Sequence, residues 1–184
     1  MNIELVPAAY VNQELTIKIM NASFEVENEW FFTDGAFNFS ANLETSINTW
    51  LHENFVAVFN KEIIAYFEGA WNRPLDIISG FRAINFSKKY SRMSVKACFM
   101  YFDYLFTKRG CNVINWIVAL QNENAKKQYD HFVDCYCGHY VGVRHHAQKS
   151  YTGKVSDACL YEITNEEYFE WENRKFKKRN GIVY

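Results

Sequence analysis

The clearest hydrophobic pattern begins at Phe55. "FVAVFN" and "IIAYFEGAW" are apolar stretches of strand length on either side of the charged pair Lys61 and Glu62, so the spacing predicts two strands joined by a tight turn. "NRPL" interrupts the run, and "DIISGFRAINFS" predicts a third strand from about Ile77 to Phe86. Val95, Cys98, Phe99, Phe102, Leu105 and Phe106 then recur at helical spacing and form one apolar stripe. Lys108 and Arg109 in the last turn, with Gly110 beyond, are a C-terminal stop signal. "NVINWIVAL" predicts a strand that is buried on both faces if it lies inside a sheet. "NAKKQYDHFVDCY" predicts a helix with Ala125, Tyr129, Phe132, Val133 and Tyr136 on one side. "YVGVRHHA" and "DACLYEIT" predict a hairpin around the loop "QKSYTGKVS", and Thr164 with Glu167 forms a capping box that opens a last helix.

The signal before Phe55 is weaker. "IELVPA" reads as a strand, "QELTIKIMNASF" as a helix on Leu15, Ile17, Ile19 and Met20, and a further helix is expected from about Leu43 to His52. From Phe55 the order is strand, strand, strand, helix, strand, helix, strand, strand. Strand–helix–strand crossovers demand parallel neighbours, whereas the tight turn and the hairpin demand antiparallel ones. The expected class is α/β: a mixed, partly parallel central sheet flanked by helices.

Composition narrows the possible functions. The 184 residues suit a single domain with a sizeable core, and 49% hydrophobic with 18% aromatic residues excludes a disordered chain. The net charge of −1 gives no field that would draw nucleic acid or an anionic membrane. The one basic run, from Arg174 into the 174–184 tail, suits a helix C-terminus. There is no signal-peptide pattern and no apolar window of membrane-spanning length, so a cytoplasmic protein with no membrane partner is expected. Five cysteines, an odd number, fit reduced thiols better than a disulfide framework. The group "HFVDCYCGH" offers His131, Asp134, Cys135, Cys137 and His139, but Cys-x-Cys on a helix points its thiols apart, so no metal is expected.

In a sheet of this kind ligands bind beyond the carboxyl ends of the parallel strands, where two stretches fall. "SKKYSRMS" precedes the amphipathic helix. It is either a capped, solvated helix start or an anion site, with Ser91, Arg92 and Ser94 as donors and Lys88 and Lys89 adding charge; a pyrophosphate fits that chemistry. "QNEN" opens the next helix, where Asn122 or Asn124 can cap, and Tyr129 lies on the same side as Ala125.

Asn122, Ala125 and Tyr129, spaced three and then four apart, together with the element order from Phe55 and the ending "VGVR … YTGKVSD … LYEITNEEY", resemble the GNAT superfamily of acyl-CoA-dependent N-acyltransferases. The resemblance covers about Phe55 to Tyr168. It implies direct transfer of an acetyl or other acyl group from acyl-CoA, held between the fourth and fifth strands, to a primary amine. Tyr129 would be the acid at the leaving thiolate. Ile84, Asn85 and Phe86 would pair with the pantetheine arm through their backbone, Asn122 would bond its amides, and Ala125 would line it. Lys89, Ser91, Arg92, Met93 and Ser94 would form the pyrophosphate site. The family's loop carries glycines where this chain has Arg92 and Ser94; the alternative register from Arg92 to Ala97 puts Val95 at the central glycine. The glycine that the family often has soon after the tyrosine is delayed here to Gly138, so a longer helix or exit is expected. Glu68 is the candidate base, if its side chain faces the cleft. A second reading keeps the fold but makes the chain a binding or structural protein with a decayed cofactor site, and "EWFFTDGAFNF" a possible homo-oligomer or partner surface.

Overall fold

The structure, a computed structural model, describes residues 2–23, 51–150 and 152–179. The strands are β1 (Glu4–Pro7), β2 (Phe55–Phe59), β3 (Glu62–Asn72), β4 (Ile77–Asn85), β5 (Val113–Ala119), β6 (His139–Lys149) and β7 (Val155–Thr164). The helices are α1 (Asn12–Ser23), α2 (Ser91–Asp103), α3 (Glu123–Cys135) and α4 (Asn165–Arg179). One seven-stranded sheet runs in the order β1-β2-β3-β4-β5-β7-β6. Among the described residues its single parallel pair is β4 with β5, joined through α2; the other pairs are antiparallel. The mixed, helix-flanked sheet expected from the pattern is therefore present.

Each face of the sheet has its own core. On one, Leu15 and Ile19, four apart on α1, pack with Ala8 onto Val56, Ile63, Tyr66 and Ile84. On the other, the predicted stripe of α2 brings Phe102, Leu105 and Phe106 onto Phe67, Phe81 and Ile114. Phe132 of α3 and Tyr168 of α4 pack on this same side. Strand alternation sorts the two sets: Tyr66 faces α1 and Phe67 faces α2.

Four details differ from the pattern-based expectation. Of the helix expected from Leu43 to His52, residues 43–50 lie outside the described residues, while Leu51 is in a turn and His52 bridges to Ala70. α2 starts at Ser91, a full turn before the apolar stripe, because the polar Ser91, Arg92 and Ser94 of its first turn carry no periodicity signal. After Asp103 the helix widens into a π-turn, Tyr104–Lys108, before Gly110 stops it. β6 is longer than its apolar segment and is broken by two register shifts. At the second, the Asp157 carboxylate takes His145 Nδ1 at 2.9 Å and the His146 backbone N–H at 2.8 Å, with His146 at φ +50°.

The capping box is made as predicted. Thr164 Oγ1 accepts from the Glu167 N–H at 3.2 Å, and Glu167 Oε2 accepts from the Thr164 N–H at 2.9 Å. Gly138, the delayed glycine, turns the chain from α3 into β6 at φ +90°. A Cβ there would lie 2.6 Å from Ile163 and 2.7 Å from the Glu162 carbonyl oxygen. The π-turn carries Arg109 onto the buried Glu53, Nε to Oε1 at 2.7 Å, and Tyr101 donates to the Glu53 carbonyl at 2.8 Å.

Two stability predictions follow from these contacts. Gly138→Ala forces a Cβ into the left-handed region against backbone, costing about 1–3 kcal/mol for the strain alone. That should lower Tm by roughly 3 °C or more; an unchanged Tm would show that β7 yields. Arg109→Met strands the Glu53 carboxylate in the interior, for a loss of about 2–4 kcal/mol, the lower end reflecting the partial exposure of Arg109. Urea unfolding measures this as a shift in midpoint at constant slope.

Candidate functional site: a split in the sheet

β4 and β5 pair for only two residues, Ile77 with Val113 and Ile78 with Ile114. Beyond that point β4 pairs with β3 alone and β5 with β7 alone. The cause is local. β3 has a register shift between Glu68 and Ala70, and a Cβ on Gly69 would meet the Ile78 side chain at 2.3 Å, so only glycine lets β3 come this close. Opposite it, Gly80 takes φ +65° and turns the second half of β4.

The hydrogen-bond register shows which backbone groups face the split. Phe86 N–H bonds to the Ile64 carbonyl at 2.9 Å, so Ile84 and Phe86 direct their backbone groups to β3, while those of Ala83 and Asn85 point toward β5. On the other side Leu120 N–H bonds to the Asp157 carbonyl at 2.9 Å, which by the same alternation turns the backbone groups of Asn115, Ile117 and Ala119 toward β4. Of Ile84, Asn85 and Phe86, expected to pair with a ligand arm, Asn85 is the one whose backbone turns toward β5.

The N-termini of α2 and α3 flank the open end of the split, each presenting backbone N–H groups. At α2, Asn85 locks strand to helix. Its Oδ1 accepts from Ser94 Oγ at 2.9 Å and from the Ser87 N–H at 3.2 Å, and its Nδ2 donates to Ser91 Oγ at 3.2 Å. Ser94 is thereby buried against Asn85, and Arg92 is exposed. Lys88 is exposed as well, Lys89 lies over the Tyr90 ring, and Met93 packs against the α2-side core. At α3, Asn122 is the cap: its Oδ1 accepts from the Ala125 N–H at 3.2 Å.

Tyr129 lies beneath the split, 5.3 Å from Trp116 and 6.0 Å from Tyr161 between ring centroids. Burial pushes its phenol well above the usual range, with Cys98 adding to the shift and Arg82 opposing it, so it keeps its proton at any physiological pH. The indole N–H of Trp116 is buried with no partner among the described residues. Tyr161 donates to Asp130 Oδ1 at 2.6 Å and Lys126 holds Oδ2 at 2.6 Å, which ties α3 to β7 one residue beyond Tyr129. Glu68 faces the α1 side, where both oxygens are engaged: Oε2 accepts from Tyr66 at 2.7 Å and Oε1 meets Arg82 at 3.0 Å.

The split thus brings together Tyr129, Asn122, Ala125, Asn85 and the start of α2, with Glu68 on its far side. Sequence reading missed Phe81 and Trp116, which meet across the split at 5.8 Å; their signal was only the alternation of two unremarkable strands. Among the described residues no group of three or more His, Cys, Asp or Glu side chains is arranged to hold a metal, and His131 and Cys135 simply lie 3.4 Å apart on α3. No described helix is long and apolar enough to cross a membrane. A separate cavity of about 430 Å³ lies at the opposite end of α3, lined by Tyr136, Gly138 and Trp171 among others.

This mixed, helix-flanked sheet matches the fold of GCN5-related N-acetyltransferases. A T. thermophilus protein provisionally named an acetyltransferase superposes with a TM-score of 0.73 at 16% identity, over 95% of this chain and 92% of that one. A GCN5-related N-acetyltransferase from Brucella melitensis matches with a TM-score of 0.70 at 16% identity, over 90% and 77%. The spermidine N-acetyltransferase of Vibrio cholerae, solved in complex with CoA and spermine, matches with a TM-score of 0.67 at 16% identity, over 91% and 98%. The chain matches no family model and no curated protein in sequence.

The Asp130 anchor predicts a pH dependence. The Lys126 ammonium, and then the Tyr161 hydroxyl, hold the Asp130 carboxyl below its ordinary range. A depressed carboxylate contributes stability above its unfolded value of about 3.9 and loses it as pH falls through the folded value. Asp130→Asn should therefore lower Tm by a few degrees near pH 7, and the gap from the wild type should close as both are acidified below about pH 4. A gap independent of pH would remove the charge from this account.

Proposed function

We propose that the chain is an N-acyltransferase that moves an acetyl or other acyl group from acyl-CoA to a primary amine of a protein or small molecule. The observation that carries the reading is the two-residue β4–β5 pairing, which leaves backbone groups of Ala83 and Asn85 facing those of Asn115, Ile117 and Ala119 with Tyr129 beneath. Facing N–H and C=O groups that no strand ladder takes suit the amides of a pantetheine arm, much as a sheet edge takes an added strand; the Ala119 carbonyl is the exception, since it accepts from the Asn122 N–H at 2.9 Å. The neighbour solved with CoA and spermine supports both an acyl-CoA donor and an amine acceptor.

Acyl-CoA would supply an activated thioester; the protein's part is to position it and manage protons. The first turn of α2, with Lys88, Lys89, Ser91 and Arg92, provides N–H groups and positive charge for a pyrophosphate. Met93 and Ser94 hold that turn in place, Ser94 through Asn85. Asn122 has committed its Oδ1 to the cap and offers Nδ2 to the ligand, and the small side chain of Ala125 leaves room beside it. Tyr129 holds its proton firmly. A phenol raised above its usual range does not fully protonate a thiolate of pKa about 8.5, so its contribution is a hydrogen bond to the sulfur as negative charge develops. Glu68 is the nearest candidate to take the amine proton, directly or through water, once Arg82 gives up its contact.

Two measurements test this reading. With 1 mM acetyl-CoA and a Kd of about 10 μM, binding stabilises the fold by about 2.7 kcal/mol, a Tm rise of roughly 5–10 °C. No shift, together with no heat in calorimetry, would leave the binding-protein reading standing. Tyr129→Phe should retain acetyl-CoA binding yet lose about 100-fold or more in turnover on whichever primary amine serves, spermine and a lysine peptide being the first to try. Unchanged turnover would remove Tyr129 from the chemistry.

A further inference from the structure

α4 carries its charges in two blocks. Glu166, Glu167, Glu170 and Glu172 fall in its first half, and Arg174, Lys175, Lys177, Lys178 and Arg179 in its second, with no exception. The helix dipole accounts for the acids of the first turn and the bases of the last, but its influence fades within one turn of each end. Glu170, Glu172, Arg174 and Lys175 lie between those turns and need another reason.

The two sides of the helix answer differently. Inward, Tyr168 is buried, Trp171 stacks on Phe99 at 4.5 Å between ring centroids, and Lys175 lies over the Trp171 ring. Lys175 Nζ also donates to Glu172 Oε1 at 2.8 Å, so this central pair is satisfied within its own helix. Outward, Glu166, Phe169, Glu170, Asn173 and Arg174 are all exposed. They fall at i, i+3, i+4, i+7 and i+8, which makes one continuous stripe. Phe169 is 42% exposed although apolar, and neither Glu170 nor Arg174 makes an ion pair among the described residues.

The charge order of this face selects its partner. A helix that is acidic in its first half and basic in its second is complementary to itself turned end for end. Two copies related by a twofold axis, with their α4 helices antiparallel, set each Glu170 opposite Arg174 of the partner subunit and each Glu166 toward the partner's basic end. Every such contact occurs twice, the Phe169 rings flank the axis, and the opposed helix dipoles attract. A parallel pair would set acid on acid and base on base, and a foreign polyanion or polycation would be drawn to one half and repelled by the other.

We propose that the exposed face of α4 is a self-association surface, through which two copies of this chain pair antiparallel about a twofold axis. One helix of 15 residues makes a small interface, so the dimer is of the weak, exchanging kind and its strength depends on salt.

Sedimentation velocity of about 100 μM protein should show dimer in equilibrium with monomer in about 50 mM salt, and monomer alone in about 1 M salt, where the Debye length is about 3 Å. Glu170→Arg and Arg174→Glu, both at exposed positions, should leave Tm within about 2 °C of the wild type. Each should weaken association at least about tenfold, because each sets two like-charge pairs across the axis. An equimolar mixture of the two variants should recover the dimer, as should the double variant Glu170→Arg/Arg174→Glu, since both arrangements restore opposite charges at both contacts. A wild type that stays monomeric at low salt overturns the proposal. A dimer that both single variants leave intact overturns its assignment to α4. Monomeric single variants whose mixture also stays monomeric overturn the antiparallel pairing. None of these outcomes bears on the acyl-CoA reading, which acetyl-CoA binding tests separately.

Discussion

The short pairing of β4 with β5 is the constraint on which the rest of the molecule turns. Two parallel strands joined through α2 normally stay hydrogen-bonded along their length, and here they separate after Ile78 and Ile114. Gly69 and Gly80 make that possible, one by letting β3 bulge against Ile78 and the other by turning β4. Once the strands part, their facing backbone groups need partners, and the core beneath must be filled by side chains large enough to bridge the gap. Phe81, Trp116, Tyr129 and Phe102 meet that second need. The feature that splits the sheet thus also dictates an aromatic core beneath it.

A split sheet gives up part of its ladder, and polar ties at its margins hold the remaining parts in register. Asn85 fastens the end of β4 to the start of α2, and Asp130 fastens α3 to Tyr161 on β7. At the far end of the sheet Glu53 and Arg109 join the approach to β2 to the π-turn after α2. The π-turn has a reason in this light. One extra residue in the last turn rotates Arg109 onto Glu53 and into reach of the Trp71 ring.

Local pattern was enough to read much of this from the sequence. The stripe from Cys98 to Phe106, the Asn122 cap and the Thr164–Glu167 box each depend on residues within a few positions of one another; Val95, expected to begin that stripe, is 43% exposed instead. The start of α2 was hidden because Ser91, Arg92 and Ser94 are polar and leave no apolar trace. The placement of Glu68 could not be read, because its partner Arg82 is set by the β3–β4 register beyond a bulge. The same holds for Tyr129: its neighbours Trp116 and Tyr161 come from strands that pair across more than forty residues of chain, a distance over which no periodicity runs. The side-chain bond of Ser94 to Asn85, nine residues upstream, likewise left no local trace.

The kink that Asp157 holds in β6 has a bearing on assembly. β6 ends the sheet, and Tyr140, Val141 and Val143 lie on it with substantial exposure. A straight apolar edge of that length would template a further strand, and copies of the chain could then add end on end into fibrils. Two register shifts, a left-handed His146 and the nearby charges of Arg144 and Lys149 deny an incoming strand the continuous ladder it needs. The carboxylate that takes His145 and the His146 amide therefore guards solubility as well as local shape.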